Sequence, residues 1–234
     1  LARGQYLAPS VDHPFGTDFY SRDLLSRVLY GARISLAVAF LAVLLSVTIG
    51  TAVGLTAGLA GGLVDAVLMR AIDAALAVPR VFLLLVVLVL WEDVGVGGLV
   101  VILGLTSWFE ASRLVRAEVL SLKTREFVVA ARALGLPPPR LALRHLLPNL
   151  VAPIIVTATL GLGQMILTEA ALSYLGIGVS PPTPSWGSII AEGQQALGVA
   201  PWVAAFPGVA IVVTVVGFSL LGDGLRDALD PGAR

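Results

Sequence analysis

The sequence predicts an all-α membrane protein, a polytopic helical bundle with five spans. Three observations carry that expectation. The 234 residues are 57% hydrophobic and only 13% charged, with a mean hydropathy of +0.94, whereas a soluble domain is roughly a quarter charged. That charge is too sparse to cover a water-facing surface of this size. Apolar stretches also recur at the length of about 20 residues that one helical crossing needs. Finally, Lys and Arg gather in one loop instead of spreading evenly.

The first span is residues 34–58, which carry no charge. Gly50, Gly54 and Gly58 follow at four-residue spacing, placing three missing side chains on one helix face where a neighbouring backbone can approach. Residues 81–109 are too long for one span, and Glu92 and Asp93 would be costly at the bilayer centre. A hairpin resolves this: one span over 71–91, a glycine-rich turn at 92–98 and a return over 99–109. Pro79 and Arg80 then lie in the first turns of the earlier span, with Arg80 reaching back to the interface. Residues 150–174, interrupted by Pro153 and Glu169, give the fourth span, and 202–221 the fifth.

The Lys and Arg bias of the loops sets the orientation. Residues 112–149 hold Arg113, Arg116, Lys123, Arg125, Arg132, Arg140 and Arg144, so this loop is expected in the cytoplasm. The turn at 92–98 and the loop at 176–201 lack Lys and Arg and are expected outside. An odd number of spans puts residues 1–33 outside as well, as an extracytoplasmic segment with an amphipathic helix. Its Arg3, Arg22, Arg27 and Arg33 break the rule. The permease domain is then 34–229, followed by a cytoplasmic tail at 230–234.

Several function classes fall away. There is no cysteine and the formal net charge is zero, so neither a thiolate metal site nor bulk attraction to nucleic acid is indicated. No Ser-His-Asp arrangement, catalytic carboxylate pair or metal-ligand cluster stands out. His13 and His145 are expected at opposite faces of the membrane, and each reads as structural or interfacial. A P-loop needs Gly-Lys-Ser/Thr, but Lys123, the sole lysine, follows Leu122 with no glycine before it.

The basic loop has its own pattern. Residues 113–134 read as a helix continuing out of the third span, ended by Gly135 where a left-handed conformation suits glycine. Pro137, Pro138 and Pro139 form a rigid turn. A short helix over 140–147 then leads to Pro148 and the next span. Ala130, Ala131 and Ala133 leave room for close packing. Topology and lipid contact alone would explain a basic loop; docking of a cytoplasmic partner would explain its helix–turn–helix pattern.

Here the residues resemble a known family. Glu126-Phe-Val-Val-Ala-Ala-Arg-Ala-Leu-Gly135, nine residues, then His145-Leu-Leu-Pro148-Asn149 is similar to the EAA signature of permease subunits of binding-protein-dependent ABC importers. The spacing of Gly135 to Leu147-Pro148 is kept. Val129 stands where the signature has Glu, with Glu126 one helical turn earlier, and His145 stands where it has Ile. The stretches His13-Pro-Phe-Gly-Thr-Asp18, Thr168-Glu-Ala-Ala-Leu-Ser-Tyr-Leu-Gly176 and Leu221-Gly-Asp-Gly-Leu-Arg-Asp227 resemble the dipeptide/oligopeptide branch, in that order along nearly the whole chain.

The resemblance implies an inner-membrane or plasma-membrane permease, bacterial or archaeal, without an ATPase site of its own. It implies a second permease, two cytoplasmic ATPase subunits that hold ATP and Mg, and an extracytoplasmic solute-binding protein. Family members commonly have six spans, so a sixth is expected before Leu1. The implied coupling residues are Glu126, Val129, Ala130, Ala131, Gly135, His145, Leu147 and Pro148. Peptides are the expected cargo; the same branch also handles nickel chelates, glutathione and oligosaccharides. Glu169 is either a translocation-pathway group with Ser173 and Tyr174 or a hydrogen-bonded helix-interface carboxylate. The proline-rich outer loop with Trp186 and Trp202 is a packed element or a contact for the binding protein. A stand-alone secondary transporter would instead show inverted repeats with broken helices, and no clear internal repeat is present.

Overall fold

The computed structural model describes residues 4–91, 94–179 and 182–229. Helix α1 runs Leu24–Ala60, α2 Gly62–Leu76, α3 Arg80–Leu90, α4 Val96–Leu105, α5 Trp108–Leu122, α6 Glu126–Ala133, α7 Pro138–Leu141, α8 Leu147–Tyr174, α9 Trp186–Gln194 and α10 Trp202–Leu229. A π-helical turn, Ala142–Leu146, joins α7 to α8. Among the described residues, three helical runs are long and apolar enough to cross a membrane: α1, Pro138–Tyr174 and α10. The total is five when each bent pair, α2–α3 and α4–α5, counts as one crossing.

α1 sets the frame. Asp23 caps its start, its carboxylate accepting the Ser26 N–H at 2.8 Å. At 37 residues it is about 55 Å long, well beyond the hydrocarbon core. Residues 24–33, expected before the first span, are its opening turns. Its far end closes at Gly61, whose φ is +64°. There the ammonium of Lys123 donates to the carbonyls of Gly58 at 2.8 Å and Leu59 at 3.3 Å, satisfying end carbonyls with a cation where the helix dipole favours one.

The glycine stripe seats α1 on α5. A Cβ on Gly50 would lie 2.6 Å from that of Ala111, one on Gly58 would lie 2.7 Å from Val119, and one on Gly54 would overlap the Ser112 carbonyl. The main core gathers Val38, Ala39 and Ala42 of α1, Leu99 and Leu103 of α4, Ile166 of α8, and Trp186 and Ile189 of α9. A second, smaller core joins Val115 and Val119 of α5 to Val128 and Ala131 of α6, with Leu141, Leu146 and Leu150.

Two expected helices are broken. The span over 71–91 ends at Leu76 and restarts at Arg80, with an 80° bend between α2 and α3. Pro79 has no N–H to give the preceding turn and disfavours helix at Val78. The return helix of the hairpin bends by 40° between α4 and α5. At that elbow the Thr106 hydroxyl bonds the Ile102 carbonyl at 2.8 Å and the Ser107 hydroxyl bonds that of Leu103, side-chain competition that bends helices. Glu92 and Asp93, the expected turn carboxylates, lie outside the described residues, as does the tail at 230–234.

The N-terminal segment folds onto α9. Asp18, 1% exposed, accepts from Arg22 at 2.6 Å and Arg27 at 2.8 Å, and both arginines also reach Glu192. The guanidinium of Arg33 lies over the Tyr30 ring. Arg22 and Arg27, two of the arginines that break the positive-inside pattern, are thus neutralised within the chain.

Candidate functional site

Two features could carry function: the surface built on the second core, and a cavity among the spans. The surface differs from its sequence expectation. Instead of one helix over 113–134, α5 stops at Leu122, a turn of Lys123, Thr124 and Arg125 follows, and α6 restarts at Glu126. Pro137–Pro139 do not form a turn between helices; Pro137 is the cap of α7, with Pro138 and Pro139 in its first turn, where a missing N–H costs nothing. From Pro138 the chain runs through the π-turn into α8 without a break, so the separate short helix is α6, not 140–147.

α6 has an inner and an outer side. Val128 and Ala131 point into the second core, 0% and 6% exposed. Glu126, Phe127, Val129, Ala130 and Leu134 are exposed, Val129 at 53% and Leu134 at 81%. Ala131, expected to pack against a partner, is thus part of the seat. Gly135 closes α6 at φ +76°: its N–H reaches the Arg132 carbonyl at 2.9 Å and that of Leu136 reaches Ala131 at 3.2 Å, the paired bonds of a left-handed helix end. The region needs no side chain there, only the backbone freedom of glycine.

Of the other expected coupling residues, His145 is half-buried in the π-turn, Leu147 half-buried at the start of α8, and Pro148 exposed. The seven basic residues divide. Arg116 holds Asp65 of α2 through two bonds of 2.5 and 2.6 Å, Arg113 approaches Asp73 at 3.7 Å and Lys123 caps α1. Arg125, Arg132, Arg140 and Arg144 are exposed around α6 and α7.

The cavity, about 540 Å³, lies between α1, the α2–α3 elbow, the α4–α5 elbow and α8. Its lining includes Ser46, Thr106, Ser107, Glu110, Gln164 and Arg80. Arg80 does not reach to the interface. The elbow at Pro79 turns it inward, where its guanidinium donates to Ser107 Oγ at 2.5 Å and lies 3.8 Å from Met165 Sδ. Sequence reasoning placed Arg80 by depth alone; the Pro79 break was the signal that its direction would change.

Glu169, Ser173 and Tyr174 are not part of that lining. Glu169 is fully buried, accepting hydroxyls from Ser35 and Ser173 at 2.7 Å each, while Tyr174 is 38% exposed at the end of α8. The outer element is packed: Ser185 and Ser188 cap α9 reciprocally, and the Trp186 indole donates to the Val28 carbonyl at 3.0 Å. Pro181 lies outside the described residues.

Residues 50–234 match the family described as binding-protein-dependent transport system inner membrane component. The chain belongs to this family. Among curated relatives of this inner-membrane transport component, it is 44% identical to the dipeptide transport system permease protein DppC of Alkalihalophilus pseudofirmus, over 95% of the chain and 73% of that protein. It is 42% identical to the oligopeptide transport system permease protein OppC of Bacillus subtilis, over 97% and 74%. It is 45% identical to the glutathione transport system permease protein GsiD of Shigella flexneri, over 95% and 73%. A chain of the inward-facing MetNI methionine ABC transporter superposes with a TM-score of 0.72 at 20% identity, covering 88% of this chain and 97% of that one; it shares the fold. The chain is therefore a multi-pass membrane permease of binding-protein-dependent transport.

Proposed function

We propose that this permease is one of two membrane subunits of an ATP-driven ABC importer for small peptides, in the plasma membrane of a bacterium or archaeon. Two cytoplasmic ATPases, which hold the ATP and Mg, drive it, and an extracytoplasmic solute-binding protein delivers the cargo. The observation that carries this reading is α6: a short helix whose outer apolar residues Phe127, Val129 and Leu134 stand exposed while Val128 and Ala131 bind it to the bundle. Exposed apolar side chains on a short helix, with Arg125, Arg132, Arg140 and Arg144 also exposed on this segment, suit a protein groove. The second core passes its movement to α5 and α8 as a rigid-body shift. Peptide cargo is supported by relatives named for dipeptide, oligopeptide and glutathione transport.

The test is reconstitution in proteoliposomes with a second permease, the ATPases and a binding protein. Peptide uptake that requires both ATP and the binding protein, and that falls at least tenfold on Phe127→Asp (the order expected when a charge is forced into an apolar interface core), supports the reading. Uptake without ATP, or none with any peptide, overturns it.

A further inference from the structure

The cavity lies near the middle of the long helices: Val43 and Val47 on its wall are near the middle of α1, and Thr157 near the middle of the run Pro138–Tyr174. One cation stands there. Arg80 has a hydroxyl and a thioether as partners, its buried Nε has no acceptor among the described residues, and no described carboxylate comes within 4.0 Å in an ion pair. Glu110, the other charged residue on the lining, is exposed and makes no ion pair with it within 4.0 Å, although its negative charge does act on Arg80. Elsewhere the chain does compensate its partly buried arginines, giving Arg27 both Asp18 and Glu192 and Arg116 a bidentate Asp65. A buried guanidinium is costly without a carboxylate in direct contact, and Glu110 acts on Arg80 only from a distance, so the retention of Arg80 points to a ligand that supplies the contact.

We infer that Arg80 is a carboxylate-binding site inside the translocation cavity, which takes the C-terminal carboxylate of the passing peptide. The chemistry fits. A planar guanidinium presents parallel N–H donors that match a carboxylate; Nε is an unused donor beside the hydroxyl-bound amino group; and Ser107 anchors the group from the α4–α5 elbow. The volume falls in the usual range for small-molecule sites. Because α3 begins at Arg80 and Ser107 sits in the other elbow, the ligand would bridge two bent helix pairs. The inference rests on the peptide reading above.

The test uses the complete reconstituted importer with tri-alanine and tri-alanine amide, each loaded to the same occupancy of the binding protein. Arg80→Gln keeps size and hydrogen bonding while removing charge. Uptake of the free acid is expected to fall about tenfold relative to uptake of the amide, the scale of one charge-assisted hydrogen bond. Arg80→Lys is expected to keep most of the preference for the free acid. If both variants depress both peptides equally, Arg80 only holds the elbow to Ser107, and the inference is overturned. It is also overturned if Arg80→Gln leaves both uptakes unchanged. If the wild-type importer moves neither peptide, the peptide reading itself fails, a result separate from either pattern in the variants.

Discussion

The hydroxyl of Ser35 on α1 donates to the Glu169 carboxylate on α8 at 2.7 Å, and the same Ser35 oxygen accepts the backbone N–H of Trp186 at the start of α9 at 3.2 Å. Ser173 completes the junction from the next turn of α8, bonding Glu169 at 2.7 Å and accepting the Val179 N–H at 3.1 Å. One buried carboxylate thus ties three helices and the turn after α8. Glu169→Ala leaves two serine hydroxyls to rearrange in a buried site and is expected to lower stability by about 3 kcal/mol. Glu169→Gln retains an acceptor and should cost less. Thermal unfolding in detergent measures both. Uptake normalised to folded protein separates the roles: an interface carboxylate leaves it near wild type in Glu169→Gln, whereas loss of uptake with normal unfolding would assign the carboxyl to transport.

Of the three stripe glycines, Gly54 is the one whose added Cβ would come nearest to α5, against the Ser112 carbonyl and Val115. Backbone cannot yield as a flexible side chain can. Gly54→Ala is expected to cost about 1–3 kcal/mol through overpacking, and Gly54→Leu to prevent assembly of the pair. Gly224 has nothing within 4 Å of an added Cβ, so Gly224→Ala in α10 is the control and should be neutral or slightly stabilising. Equal melting temperatures for the Gly54 and Gly224 alanine variants would contradict the close-packing account.

What the sequence made legible follows from which forces are local. Apolar length located the crossings because every residue of a span meets the same solvent, and four-residue spacing put Gly50, Gly54 and Gly58 on one face. Gly135 was readable because a positive φ is a property of one residue. Elbow directions were not readable. Pro79 announces a break but not the 80° turn, which depends on what α3 packs against, so Arg80 was placed by depth rather than by direction. The α5–α6 break at 123–125 was missed because Lys123 and its neighbours read as helix formers; the turn brings Lys123 to the end of α1, a contact 64 and 65 residues away in sequence. Likewise, nothing local in the sequence pairs Arg22 and Arg27 with Glu192, 165 or more residues away.

Asp23 gives α1 a pH-sensitive start. Burial works to raise its carboxyl, but the bonds from the Ser26 backbone and the hydrogen bond and charge of His13 outweigh burial, so the carboxyl titrates below its ordinary value. A lowered folded-state value stabilises the cap in full above the unfolded-state value of about 4 and is lost as pH falls through the folded one. Hydrogen exchange in the first turn of α1, corrected for intrinsic rates, should therefore rise on acidification below about pH 4. Asp23→Asn keeps a capping oxygen and should remove that pH dependence while leaving protection at neutral pH little changed. A wild-type profile that stays flat through this window would show that the cap does not hold the turn.

Ala130 and Ala131 are adjacent, chemically identical and differently placed, so one substitution made at each separates seating from docking. Ala131 is 6% exposed, packed in the second core with Val128 and Leu146, and its carbonyl closes the Gly135 helix end. Ala130 is exposed on the outer side. Ala131→Leu adds volume to a filled site and is expected to cost about 1–3 kcal/mol, visible as a lower melting temperature of the isolated permease. Ala130→Leu should melt like the wild type, since exposed substitutions away from packing stay within about 0.5 kcal/mol. In the assembled importer the order is expected to reverse in kind: on the docking proposed above, Ala130→Leu changes the outer face of α6, so it should weaken ATPase co-purification and cargo-stimulated hydrolysis at unchanged permease stability. If instead Ala130→Leu leaves co-purification and stimulated hydrolysis untouched, α6 does not dock through this side, and the exposed arginines around it become the surface to test next.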